Sequence, residues 1–208
     1  MDTPLALSWL RTAAAAVDRR EQELSDLDSA IGDGDHGGNL RRGFTAVLVA
    51  LDELAPGAPV GAVLSTAGST LISKVGGASG PLYGSALRTA GAALPAPAAD
   101  ITDLAPALRA GLTAVQRLGG AAPGDKTMVD AFEPAVAALE RAAFDGFSLR
   151  EAAALAAEAA ERGARDTVPL QARKGRASYL GPRSIGHQDP GATSTALLFR
   201  ALADAAGA

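Results

Sequence analysis

Residues 60–94 read VGAVLSTAGSTLISK, then VGGASG, then PLYGSALRTAGAAL. The outer stretches carry helical patterns over 60–74 and 81–94, and the connection Val75–Gly80 between them holds three glycines and a serine. A helix, a short connection and a second helix make an antiparallel pair. Outward from this pair the pattern recurs. Helical periodicity covers 4–24, where Leu5, Trp9, Leu10, Ala13 and Val17 fall at helical spacing, and then 40–54, 101–118, 127–144, 148–164 and 191–206. That makes eight helical segments and no alternating strand pattern. Much of the 48% hydrophobic fraction is alanine and aromatics are only 4%, which favours helices that approach closely.

The connections alternate in chemistry. Ala55–Pro59, Pro95–Asp100 and Asp145–Phe147, after the second, fourth and sixth segments, hold proline, alanine and glycine with little that reacts. Ser25–Asn39, Val75–Gly80, Gly119–Lys126 and Arg165–Pro190, after the first, third, fifth and seventh, hold aspartates, glycine pairs, a lysine, arginines and a histidine. In an up-and-down helical array alternate loops lie at the same end, so the four chemically rich loops converge on one rim. The predicted fold is therefore all-α, an antiparallel up-and-down arrangement of eight helices. It forms a single domain over residues 1–208, with function carried by the loops of one rim. The last rich loop is long for a structureless connection in a compact domain. Gly175, Gly181, Gly186, Pro169, Pro182 and Pro190 suit it to act as a lid over about 165–190.

A formal net charge of −4 with no basic stripe argues against a nucleic-acid partner, and the one basic cluster, Arg173, Lys174 and Arg176, is short. Cysteine is absent, so disulfides and thiolate metal sites are excluded. The first ten residues lack the basic and apolar regions of a signal peptide, and no run of 18 apolar residues exists. The expectation is a soluble cytoplasmic protein with no membrane association.

The richest chemistry lies in Leu27-Asp28-Ser29-Ala30-Ile31-Gly32-Asp33-Gly34-Asp35-His36-Gly37-Gly38-Asn39. Gly32 and Gly34 argue against a continuous helix and let the three carboxylates converge. Three close anions repel, and a cation is the natural compensation. Oxygen ligands select magnesium or calcium. Counted from Asp33, an EF-hand would need a bidentate glutamate where Phe44 stands, so that reading fails. A magnesium site shared with substrate phosphates remains, against the plainer alternative of an Asp-Gly turn that caps the next helix. Gly37 and Gly38 precede a helix whose first amides suit a phosphate. His36 is either a donor to a phosphate or ribose, or a helix cap or surface residue.

Three further stretches join it. Val75-Gly76-Gly77-Ala78-Ser79-Gly80 offers bare amides and a hydroxyl, either as a phosphate cradle or simply as a turned corner. Pro123-Gly124-Asp125-Lys126-Thr127-Met128 is not a Walker motif, because it lacks the adjacent Gly-Lys. Asp125 and Thr127 suit a helix cap, but a lysine at a helix start is disfavoured unless an anion or carboxylate is near. Arg173-Lys174-Gly175-Arg176 is either a basic flap that matches phosphate or a solvated loop. Asp189-Pro190-Gly191 reads as a turn with proline at the first helical position.

In order and spacing these four stretches together resemble the nucleotide-binding L subunit of dihydroxyacetone kinase and the equivalent domain of the ATP-dependent single-chain enzymes, from about residue 5 to 205. The resemblance implies a DhaL-like barrel of eight antiparallel helices. It implies two magnesium ions held by Asp28, Asp33 and Asp35, and ADP or ATP bound through them. His36, Gly37, Gly38, Asn39, Gly77, Ala78 and Ser79 would line the nucleotide, with Gly119 and Met128 nearer the base. Arg176, Asp189, Pro190 and Gly191 would complete the pocket. The implied reaction is phosphoryl transfer to dihydroxyacetone or a related small ketose held on a separate K subunit. Asp28, Asp33, Asp35 and Arg176 would serve that transfer. In the phosphotransferase-system version a phosphocarrier M subunit recharges the bound nucleotide, and a short separate chain suits that version. A homodimer is a further expectation.

Two other classes compete. A magnesium-dependent phosphohydrolase could use an aspartate of Asp33-Gly34-Asp35, but the usual preceding apolar strand is missing at Asp26-Leu27-Asp28-Ser29. A non-catalytic regulatory module could use the nucleotide as a signal.

Overall fold

A computed structural model describes residues 1–208 as an all-helical chain. Nine α-helices run α1 Thr3–Arg19, α2 Glu21–Ile31, α3 His36–Asp52, α4 Val60–Lys74, α5 Ser79–Ala92, α6 Ile101–Gly119, α7 Val129–Phe144, α8 Leu149–Asp166 and α9 Pro190–Gly207, and a 3-10 segment spans Arg176–Ser184. From α3 onward each helix packs on its predecessor, and α9 closes back onto α1, which also packs on α3. The helix α2 stands outside this ring, against α3 and the edge of α9.

Local signals explain the starts and stops. Asp2 caps α1 by accepting from the Leu5 amide at 2.9 Å. Asp100 with Asp103, and Ser148 with Glu151, form reciprocal capping boxes that start α6 and α8. The left-handed Gly120 ends α6.

The expected count of eight helices is corrected to nine plus the 3-10 segment. The expected helix over 4–24 breaks at Arg20 (φ −112°, ψ 17°), whose amide turns back to the carbonyls of Ala16 and Val17. A second helix then continues to Ile31. The stretch 25–39 expected as one loop is therefore the end of α2, a four-residue link from Gly32 to Asp35, and the first turn of α3. Only Leu24 and Ile31 of α2 are buried, and the short stripe they make with the half-buried Leu27 is masked by the aspartates, serines and glycines around it.

Small residues set the spacing of the core. The helix α8 buries Ala152, Ala153, Ala156, Ala157, Ala160 and Ala164 and no large side chain, which lets α7 and α9 lie close on either side. Phe132 of α7 and Phe199 of α9 meet edge to face with ring centres 5.4 Å apart. In α4 and α5, Gly61 faces Gly91 and Gly68 faces Gly84, seven residues apart on each helix and in opposite order, as an antiparallel pair requires. A methyl group added at Gly68 would sit 2.5 Å from the Gly84 carbonyl oxygen. No helix is long and apolar enough to cross a membrane.

Candidate functional site

A cleft of about 380 Å³ opens at one end of the helical ring. It lies where α2 ends and α3 begins, at the α4–α5 and α6–α7 junctions, and beneath residues 174–177 and 189–191. All four chemically rich stretches contribute to it.

At one end stand the carboxylates. Asp28, on the last turns of α2, accepts through Oδ2 from the amides of Asp35 at 2.9 Å and His36 at 3.3 Å, so it fastens the start of α3 to the end of α2. Gly32 permits this, because a side chain there would lie 2.2 Å from Asp28 Oδ1. Gly34 then turns through φ 78°. The outcome is one oxygen each from Asp28, Asp33 and Asp35 within 4.8 Å of one another. Asp28 is half-buried and the other two are exposed. Three hard oxygens this close, with solvent access for water and phosphate ligands, suit a divalent cation of the magnesium type. The guanidinium of Arg176, from the 3-10 segment, reaches Asp33 Oδ2 at 3.2 Å.

The floor is a buried hydroxyl network. His36, in the first turn of α3, places Nδ1 3.1 Å from Ser79 Oγ and Nε2 2.8 Å from Ser194 Oγ. It is buried, which pushes its pKa below the ordinary value and keeps the imidazole neutral at pH 7. Neither the helix-cap nor the surface reading of His36 holds: its ring joins α3, α5 and α9. The Tyr83 hydroxyl lies 3.0 Å from the Gly191 carbonyl, 2.6 Å from Ser194 Oγ and 2.8 Å from Thr195 Oγ1, tying α5 to α9. Asn39 is buried beneath Gly76 and Gly77 and accepts from Arg42.

The part of the cleft formed by α5, α6 and the start of α7 is its apolar end, with Leu82, Val115, Gly119, Ala121, Met128 and Val129. Thr127 Oγ1 accepts from the Val129 amide at 3.2 Å at the start of α7, as expected of a cap, but Asp125 does not cap this helix. Asp125 accepts from Ala122 N within its own turn, and Asp130 receives the Thr127 amide at 2.7 Å.

Asp189 starts α9, accepting from Ala192 N at 2.7 Å, and Pro190 takes the first helical position. Burial pushes the Asp189 carboxyl from 3.8 up to about 7. The folded chain therefore holds this proton more tightly than the unfolded chain, so the contribution to stability is full below pH 4 and is lost as pH rises through about 7. Asp189→Asn keeps a capping oxygen and removes the titration. Thermal melts from about pH 5 to pH 8 should show the variant gaining on the parent by more than about 1 kcal/mol across that range, and parallel curves would refute the assignment.

Of the residues singled out from sequence, Asp28, Asp33, Asp35, His36, Asn39, Gly77, Ala78, Ser79, Gly119, Met128, Arg176, Asp189, Pro190 and Gly191 all line this cleft. Gly37 and Gly38 do not. Gly37 packs where α3 crosses α2, and a side chain there would lie 2.0 Å from the Glu21 carbonyl oxygen. Ile31, Leu82, Tyr83 and Val115 also line the cleft and escaped the reading, and Lys126 and Lys174, noted in the sequence but given no place in the pocket, line it too. Helical spacing carried a signal for two of these: Tyr83 follows Ser79 by four residues on α5, and Val115 precedes Gly119 by four on α6. The segment 165–190, expected as a lid without structure of its own, contains the 3-10 helix Arg176–Ser184, and Ala172 N donates to Ser184 Oγ at 2.9 Å.

The DAK2 domain model matches residues 30–204. The chain is 45% identical over 201 residues to the PEP-dependent dihydroxyacetone kinase 1 ADP-binding subunit DhaL of Listeria innocua, covering 97% of this chain and 96% of that protein. It is 43% identical to the corresponding Escherichia coli subunit, covering 96% and 95%. The D-erythrulose kinase of Mycolicibacterium smegmatis is 42% identical over 193 residues, 92% of this chain but 33% of that enzyme. Among solved structures, the dihydroxyacetone kinase of C. freundii in complex with AMP-PNP and Mg2+ superposes with a TM-score of 0.75 at 28% identity, covering 98% of this chain and 34% of that one.

Proposed function

This chain belongs to the DAK2-domain family, and on that premise we propose that it is the nucleotide-carrying subunit of a cytoplasmic dihydroxyacetone kinase. It would bind ADP or ATP with two magnesium ions and transfer a phosphoryl group to dihydroxyacetone, or a related small ketose, on a separate K subunit. The observation that carries this reading is the polarity of the cleft. Three carboxylates and an arginine gather at the α2–α3 link, apolar residues line the cleft from α5, α6 and the start of α7, and a glycine-serine turn joins α4 to α5. That sequence of surfaces matches a cation-bound diphosphate, a sugar and a base.

Each part has a task. Asp28, Asp33 and Asp35 hold the cations, which would neutralise charge on the diphosphate and the transferring phosphoryl group. Asp28 is preset by the two amides it accepts, so its free oxygen faces the cluster without further ordering. Ser79 and the open backbone of Gly76 and Gly77 face the phosphates, and the neutral His36 fixes the Ser79 hydroxyl from beneath. Arg176 stands where it can exchange its bond to Asp33 for the terminal phosphate. The apolar end takes the base, and the lid over both excludes water.

The relatives that match this chain end to end are named PEP-dependent subunits, which favours recharging of the bound nucleotide by a phosphocarrier over exchange of ATP. Mixing the chain with a cognate K subunit, dihydroxyacetone, ADP and either ATP or a charged phosphocarrier tests the reading. Triose phosphate should form only when both subunits are present. Phosphate release by this chain alone would point to a phosphohydrolase instead.

A further inference from the structure

The lid is suspended from two adjacent residues of the α6–α7 connection. Lys126 is buried, with 1% exposure, and donates from Nζ to the Thr167 carbonyl at 2.6 Å and to the His187 carbonyl. Thr167 terminates α8 and His187 lies two residues before the cap of α9, so one ammonium group joins the outgoing and returning stems of the lid. Its neighbour Asp125 accepts from Arg173 N at 3.0 Å, immediately before the cleft-lining Lys174 to Ala177.

Two features set Lys126 apart from an ordinary core residue. It is the one non-glycine residue in the chain with positive φ, at 61°, a conformation that side-chain-bearing residues adopt only under constraint. No carboxylate lies within ion-pair distance, and burial pushes its pKa down against the pull of Asp189 and Asp130. A buried cation satisfied by carbonyls at the end of a helix fits the helix dipole. It also resolves the lysine at the start of α7, whose charge points away from that helix.

We infer that Lys126 is a positioning residue that couples the lid to the apolar end of the cleft. The same backbone continues into Met128 and Val129, which line that end, while the side chain fixes the stems that carry Lys174 and Arg176. A base seated on Met128 and a lid closed over the phosphates are thereby joined through residues 125–128. The inference rests on the nucleotide reading of the cleft for its consequence, but the tether itself is independent of any ligand.

The test is limited trypsin digestion of the full chain without nucleotide, on Lys126→Met and Lys126→Gln. Cleavage after Arg173, Lys174 and Arg176, all exposed, reads the lid. Cleavage after Arg88 on α5 and Arg141 on α7 reads general unfolding. The expected result is lid cleavage at least about tenfold faster in Lys126→Met, with the glutamine variant between it and the parent, and unchanged cleavage in the helices. Stopped-flow release of ADP should accelerate in the same order. Equal acceleration at all sites, or loss of helical circular dichroism in both variants, would make Lys126 a core element and overturn the tether. Failure of the parent to bind ADP would sink the reading of the cleft while leaving the digestion result to stand.

Discussion

Asp33→Ala lowers the affinity for ADP in magnesium by about 100-fold or more, roughly 3 kcal/mol, and leaves the melting temperature nearly unchanged. Asp33 is the informative member of the cluster. Its carboxylate is exposed and its single protein partner is Arg176, so losing it costs the fold little. Asp28 also receives the amides of Asp35 and His36, so replacing it would disturb the start of α3 and confuse binding with stability. The effect at Asp33 should depend on the cation. With chelator present, parent and variant should bind ADP equally weakly, because what the aspartate contributes reaches the diphosphate through the metal. Isothermal calorimetry of both proteins checks it. Equal affinities in magnesium would remove Asp33 from the site.

Gly68→Ala should be a strongly damaging conservative change away from the cleft. The added methyl would lie 2.5 Å from the Gly84 carbonyl oxygen and 2.6 Å from the Arg88 amide nitrogen. Those are backbone atoms, and no rotamer change can move them. Relief requires α4 and α5 to separate along a seam that also holds Gly61 against Gly91. Overpacking of this kind costs about 1–3 kcal/mol, and for a chain of this length each kcal/mol lowers the melting temperature by about 2–4 °C. Because residues 76–79 join these two helices and line the cleft, nucleotide affinity should fall with stability. Differential scanning calorimetry gives the first quantity. An unchanged melting temperature would show that the helices part freely there.

Much of this organisation was legible in the residues themselves. The alternation of plain and chemically rich connections placed four loops at one rim, and the cleft draws on all four. The helices α3 to α9 follow apolar stripes that periodicity reveals. What escaped has physical reasons. The helix α2 buries only Leu24 and Ile31, so its aspartates and serines looked like loop until the backbone showed them helical. Gly37 and Gly38 resembled an anion-binding turn, but Gly37 serves a close crossing of α3 over α2. Lys126 looked misplaced at the start of a helix because its partners are two carbonyls more than 40 residues onward, and no local pattern points to them. The placing of residues 167–187 is hidden for the same reason: the groups there that Lys126 and Asp125 meet, Thr167 O, His187 O and Arg173 N, are backbone groups, which every sequence shares.

The most direct test of the central claim is a titration of the purified parent with ADP, once in millimolar magnesium and once in excess chelator. Saturable binding of one ADP per chain that weakens at least about 100-fold on chelation is the result this account predicts. Binding that ignores the cation, or no binding in magnesium at all, would contradict it.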